Sequence, residues 1–192
     1  MKLRSVKEAI EIGLKDYLGH YKQAVKSFWQ FDTVINGLPV EYFFIAQAVQ
    51  ESRFHSEAVS PVGALGIAQF MPQTAREVGA GLSRHYLFKN GFEPKNSIQS
   101  VYAQVFYMNN LCKSWKLERT TFQRFELALA SYNAGLGNII KAQKISGDKR
   151  NWEDIKGSLV KVTGKYSNET LGYINNIIGY SNIMKDMQKI DF

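Results

Sequence analysis

Apolar residues return every third or fourth position through most of this chain, and that spacing leaves helices as its main building material. Val6, Ile10, Leu14, Tyr17, Tyr21, Val25 and Phe28 form one such stripe, long enough for a single amphipathic helix. Asn36-Gly37 breaks it. Pro39 suits a first helical turn and opens a second helix, with Val40, Phe44 and Ala48 on one face and its end near Phe54. Residues 55–70 then lose the period: Ser60-Pro61, Gly63 and Gly66 are turn chemistry, enough for a small hairpin but not a large sheet. Met71-Pro72 starts a short helix closed by Gly79, residues 80–96 read as loop, and Ile98, Val101, Val105, Met108 and Cys112 restore the stripe. A helix over Phe122 to Ala134 capped by Gly135, a turn over 138–144 and a short helix over 152–159 follow. Ile174, Ile177, Ile178 and Met184 line a last long helix. The expected fold is mainly α, one globular body with a small irregular or β-hairpin segment after the second long helix.

The 192 residues carry 24 Lys and Arg against 17 Asp and Glu, a net charge of +7. The surplus is spread along the chain with no basic arm, which gives nucleic-acid binding little support and fits plain solubility at least as well as an extended anionic partner. The longest apolar stretch, Tyr42 to Val49, is interrupted by Gln47 and falls far short of the ~20 residues a transmembrane helix needs. Lys2 and Arg4 begin the chain as a signal peptide would, but Lys7, Glu8, Glu11, Lys15 and Asp16 interrupt any apolar core, so no secretion signal is expected. One cysteine excludes an internal disulfide, and His20, His55 and His85 lack metal-site spacing, so neither metal nor cofactor is expected. Cys112, on a core stripe, reads as a small buried hydrophobe.

Extending the stripe of the second helix through Phe44 and Ala48 reaches Glu51, one carboxylate on a face that otherwise packs inward. Apolar neighbours raise the pKa of such a group, so it keeps a proton near neutrality, as a general acid must. A core-edge glutamate tied to backbone would look the same taken alone. Beyond it, Gly63 and Gly66 permit tight backbone ahead of Gln69, whose amide both donates and accepts, and of Met71-Pro72. Ser131-Tyr132-Asn133-Ala134-Gly135 ends a helix with a phenol and an amide, and Glu169-Thr170-Leu171-Gly172-Tyr173 opens the last one.

In this order, Glu51-Ser52, Gly63-x-x-Gly66-x-x-Gln69-x-Met71-Pro72, Ser131 to Gly135 and Glu169-Thr170-x-x-Tyr173 resemble the four signature blocks of the SLT-type (family 1) lytic transglycosylases of the lysozyme-like superfamily. The resemblance runs from about Leu38 to about Asn182; Pro39-Val40 and Asn151-Trp152 look closest to the membrane-bound type D branch or a phage-encoded relative. It implies a lysozyme-like (SLT) catalytic domain over residues 36–192, with residues 1–35 as an N-terminal helical extension packed on it. The substrate it implies is the peptidoglycan glycan strand, cut at the MurNAc-β-1,4-GlcNAc bond with formation of a 1,6-anhydro end and no cofactor. Glu51 would act as acid and then as base. Ser52 would orient Glu51 or touch substrate, Gln69 and Met71 would line the groove, and Tyr132 and Asn133 would hold the acetamido side of the sugar. Tyr173 would hydrogen-bond near Glu51, with Glu169 placing that helix. Phe70 stands where the family more often has an aliphatic residue.

A retaining glycosidase with two acids needs them about 5–5.5 Å apart. No Asp or Glu lies between Ala58 and Gln69, and Glu57 is expected to point away beyond the helix end. That favours internal attack over a goose-type-lysozyme-like hydrolysis, whose members carry aspartates after the glutamate. Intact Glu51, Gln69, Tyr132 and Tyr173 argue against a non-catalytic wall-binding or assembly module. Tyr86, Phe88 and Phe92 either wall the groove or, more often for such residues, pack their loop onto the core. A wall-degrading chain without a leader fits a bacteriophage protein, in the virion or in lysis, or a periplasmic enzyme whose leader was removed. No oligomeric state is implied.

Overall fold

A computed structural model describes residues 4–190, with side chains in the last helix to residue 187; Lys2, invoked above for a signal peptide, lies outside them. The first stripe is one helical rod in three pieces: α1 (Val6–Ile12), a π-helical turn over Gly13–Tyr17, and α2 (Leu18–Phe28). Ser5 and Glu8 close a capping box at its start. The π turn falls where the rod crosses the next helix: a Cβ on Gly13 would stand 2.5 Å from Ile45 and 2.8 Å from Phe54. Widening the helix there lets Tyr17 stack on Phe54 at 4.8 Å between ring centroids.

Asn36 and Gly37, both at positive φ, turn a two-stranded antiparallel ladder of β1 (Val34–Ile35) and β2 (Leu38–Pro39). The only ladder among the described residues therefore precedes the second long helix, α3 (Val40–Ser52), with Pro39 as its N-cap. The segment after α3 is irregular, held by isolated bridges pairing Leu65 with Val59 and with Phe70. Next come α4 (Pro72–Leu82), α5 (Ser97–Ser114), α6 (Thr121–Ala134) and α7 (Leu136–Ile145). The short α8 (Trp152–Ile155) and α9 (Val160–Thr163) lead to α10 (Ser167–Ile190). Gly79 does not close α4, which runs three residues further. It is small because Phe92 packs there, within 2.9 Å of where its Cβ would be.

Nearly every residue of α3 from Val40 to Val49 is buried, so this helix is the axis of the fold. It packs along α10 on one side and α2 on the other, while α2 also lies along α5 and α6 bridges α5 to α10. Ala9, Ile10, Tyr21, Ala24 and Val25 of the first rod belong to the same core as Phe43, Phe44, Phe125 and Ile177. Cys112 is fully buried there, and burial pushes its thiol well above the usual range. Burial of this continuous apolar set, at about 25 cal/mol per Å², is what holds α3 rigidly and delivers its last turn to the surface.

Candidate active site

The helix α3 ends abruptly because Arg53 and Phe54 both adopt left-handed backbone, at φ 52° and 58°. Arg4 reaches from the chain start to donate to the carbonyls of Arg53 and Phe54, at 3.0 and 2.7 Å, satisfying groups that a terminating helix leaves bare. Glu51 and Ser52 thus sit in a last turn clamped from behind. Ser52 Oγ donates to the carbonyl of Ile67 at 2.9 Å and so ties the helix end to the glycine-rich loop, an orienting rather than an open substrate-facing position.

Glu51 is half-buried, and Tyr173 of α10 donates to its Oε1 at 2.5 Å. Burial lifts the Glu51 carboxyl from 4.5 to about 8; the Tyr173 hydrogen bond opposes the rise and the charge of Glu169 adds to it. The group therefore holds its proton at neutral pH while the second oxygen is left free of that bond. It lines a cavity of about 520 Å³ with Ser52, His55, Glu57, Val59 and Gln69.

Gln69 takes a left-handed φ of 48° in a loop anchored by Gly66. A Cβ on Gly66 would fall 1.8 Å from the carbonyl of Pro94, so only glycine lets this loop lie against the 94–95 backbone. The Gln69 amide donates to Gly66 O at 2.8 Å, which leaves its carbonyl oxygen to the cavity. Gln69 also lines a smaller recess with Phe70, Met71, Thr74, Tyr107 and Tyr132, into which the exposed Met71 projects. Tyr132 donates its hydroxyl to Ala68 O at 2.6 Å, so that oxygen meets a ligand only as an acceptor. Phe70 is buried under this wall, edge-on to Phe92 at 5.1 Å and tilted against Tyr132 at 6.1 Å.

Asn133 is held by the start of α10: its Oδ1 accepts from Thr170 at 2.7 Å and its Nδ2 donates to Glu169 at 3.4 Å. These three residues border a further recess of about 380 Å³ with Val162, Thr163 and Tyr166. Of the side chains expected from the sequence, Ser52 and Gln69 share the Glu51 cavity, Tyr173 bonds Glu51 directly, Met71 and Tyr132 line the recess that Gln69 shares, and Asn133 and Glu169 border a separate recess.

One expectation changes. Glu57 does not point away; it lines the Glu51 cavity, exposed, in an ion pair with Lys95 at 3.0 Å. The aromatic loop packs onto the core, the commoner of the two outcomes expected for it: Phe88 is buried and packs on Phe92 at 5.7 Å, which backs Phe70, while the exposed Tyr86 lies against His85. The structure adds roles for Thr170, which bonds Asn133, and for Gln47 and Gln104, which stand behind Tyr173. The signal for Gln47 was there, as the lone amide in the apolar run of α3. Among the described residues no group of three His, Cys, Asp or Glu side chains is placed to hold a metal ion, and no helix is long and apolar enough to cross a membrane.

Among known proteins the chain is similar to membrane-bound lytic murein transglycosylase F of Aliivibrio fischeri, 31% identical over 121 residues, covering 61% of this chain and 22% of that protein. The same-named protein of Hahella chejuensis is 27% identical over 192 residues, 90% of this chain and 35% of the relative. That of Haemophilus influenzae is 28% identical over 98% of this chain and 43% of its own. These relatives carry the F name, where the sequence pattern leaned to type D, and the chain spans less than half the length of each. In fold it is similar to the 70-kDa soluble lytic transglycosylase in complex with bulgecin A, with a TM-score of 0.69 at 20% identity over 95% of this chain and 26% of that one. The Escherichia coli SLT70 crystal structure matches at 0.62 and 22% identity, over 92% and 26%. The family model for the transglycosylase SLT domain matches residues 27–155, more than half of the chain, and the chain belongs to that family.

Proposed function

We propose that this domain is a peptidoglycan lytic transglycosylase that cleaves the MurNAc-β-1,4-GlcNAc bond and leaves a 1,6-anhydro-MurNAc end. The observation that carries the reading is Glu51: a carboxyl that burial pushes up to about 8, held on Oε1 by Tyr173 and lining a cavity of about 520 Å³. The names of the relatives, all lytic murein transglycosylases, support the same substrate.

The free carboxyl oxygen of Glu51 gives its proton to the glycosidic oxygen as the C1–O bond breaks. The carboxylate left behind removes the proton of the C6 hydroxyl, O6 closes onto C1, and Glu51 ends protonated with no water consumed. A pKa near the working pH suits a group that acts first as acid and then as base. Gln69 presents its carbonyl oxygen to the sugar, Met71 lines the recess beside it, and Asn133, braced by Glu169 and Thr170, meets the acetamido side with Tyr132. Within this reading residues 1–35 are a helical extension on a catalytic domain of residues 36–192; the family match starts at residue 27, so α1 and most of α2 precede it. The site of action is the cell wall, as the names of the relatives suggest.

One observation favours hydrolysis as a second reading: Glu57 borders the same cavity and could activate a water. Its carboxylate is exposed and ion-paired with Lys95 at 3.0 Å, which favours the first reading. Digesting purified peptidoglycan and weighing the muropeptides decides between them. Products one water lighter than the hydrolytic ones establish ring closure; reducing ends refute it.

A further inference from the structure

Behind Tyr173 lies an unbroken line of hydrogen bonds through the core. Gln47 Nε2 donates to Tyr173 Oη at 3.0 Å, Gln104 Nε2 donates to Gln47 Oε1 at 2.9 Å, and Tyr21 Oη donates to Gln104 Oε1 at 2.7 Å. Gln47, Gln104 and Tyr21 are all 0% exposed. Three helices contribute: α2, which holds Tyr21, α5, which holds Gln104, and α3, which holds both Gln47 and Glu51. Polar groups buried this deeply cost folding energy unless every one is paired, and a purely structural core at these positions would be better served by leucine and phenylalanine.

The direction of the line is not arbitrary. Gln104 Nε2 also donates to the backbone carbonyl of Phe44 at 3.1 Å, and a carbonyl can only accept. That sets which end of the Gln104 amide faces α3, so its oxygen must face Tyr21 and its second N–H must face Gln47. Gln47 then turns its own amide nitrogen to Tyr173, with Met108 Sδ as a weak second acceptor at 3.8 Å. Tyr173 Oη, already accepting, has its one proton left for Glu51 Oε1. Every donor in the line is aimed toward the acid.

We infer that Tyr21, Gln104 and Gln47 are positioning residues for Glu51: through Tyr173 they hold Oε1 as a permanent acceptor, so that the transferable proton resides on Oε2, the oxygen left to the cavity. A donor that itself accepts a hydrogen bond donates more strongly, so the line also stabilises the carboxylate that serves as base. Tyr21 precedes the family-matched residues, and the N-terminal rod thereby reaches the reacting group. Glu51 also faces Glu169 on α10, Tyr132 on α6, and Arg53, His55 and Glu57 beyond α3; none of these takes part in the line.

The kinetic half of the test rests on the proposed transglycosylase reading, so a measurement free of activity accompanies it. Tyr21→Phe removes one oxygen atom and Gln47→Leu removes the amide next to Tyr173. In protein labelled with carboxyl-¹³C glutamate, the Glu51 resonance, assigned by its loss in Glu51→Gln, is titrated with pH. Its midpoint rises by about half a pH unit in Gln47→Leu and by less in Tyr21→Phe, since the carboxylate loses support. On peptidoglycan, kcat falls on the order of tenfold with KM unchanged, and the alkaline limb of activity moves up with the NMR midpoint. Midpoints equal to wild type in both folded variants overturn the inference, as does a loss of activity that merely tracks the unfolded fraction. If Gln47→Leu does not fold, the Tyr21→Phe midpoint alone decides. Should the midpoints move while wild-type protein releases no anhydro-muropeptides, the proposed reaction fails and the positioning line stands.

Discussion

Replacing Glu51 with glutamine shifts the stability balance in favour of the variant by an amount that grows with pH. In the folded state the carboxyl keeps its proton up to about 8; in the unfolded chain it ionises near 4.5. Between those values the unfolded state binds fewer protons, so stability falls as pH rises, by up to about 1.36 kcal/mol per unit. From 4.5 to pH 7 the wild type forfeits about 3 kcal/mol by this route, and the residual hydration of a half-buried side chain trims it to about 2. Glutamine does not titrate and escapes the penalty. Urea unfolding of both proteins at steps from pH 4.5 to 9 therefore yields a stability gap that widens with pH and levels off above about 8. The pH-independent difference between amide and carboxyl drops out because only the slope is read. A gap constant across that range would refute the raised proton affinity of Glu51, and with it the case for a general acid, whatever the activity of the variant.

The remaining expectations concern activity and the loop. Cleavage by the wild type is lost as pH rises through about 8, because the acid must enter the reaction protonated; a pH–rate profile flat to pH 10 contradicts this. Glu57→Gln leaves the anhydro product and its rate near wild type, since that carboxylate is spent on Lys95, and a large loss would move the chemistry toward hydrolysis. Gly66→Ala lowers stability by more than about 3 kcal/mol, because it combines a φ of 74° with a Cβ driven into the Pro94 carbonyl; thermal unfolding reads it directly. Tyr173→Phe removes the donor on Glu51 and shifts the alkaline limb upward by about 1 unit, the size of a hydrogen bond to a charged group.

Local chemistry wrote most of the secondary structure into the chain. The stripe of Val6 to Phe28, the Pro39 start, the Gly135 stop and the long final helix each follow from side-chain period or backbone freedom, which act over a few residues. The four motif blocks name Glu51, Gln69, Tyr132, Asn133 and Tyr173 because helix ends and tight turns are written in short-range residue patterns. The π turn at Gly13 was not readable that way, since its cause is Ile45 and Phe54 pressing from another helix. Nor was the true role of Gly79, set by Phe92, or the pairing of Glu57 with Lys95, 38 residues away. Gln47 and Gln104 look like isolated polar interruptions in sequence, 57 residues apart, and become one line only when α2, α3 and α5 pack together. Period and turn chemistry determine which elements form; proton affinity, donor direction and close approach depend on groups far apart in the chain, so only the packed molecule decides them.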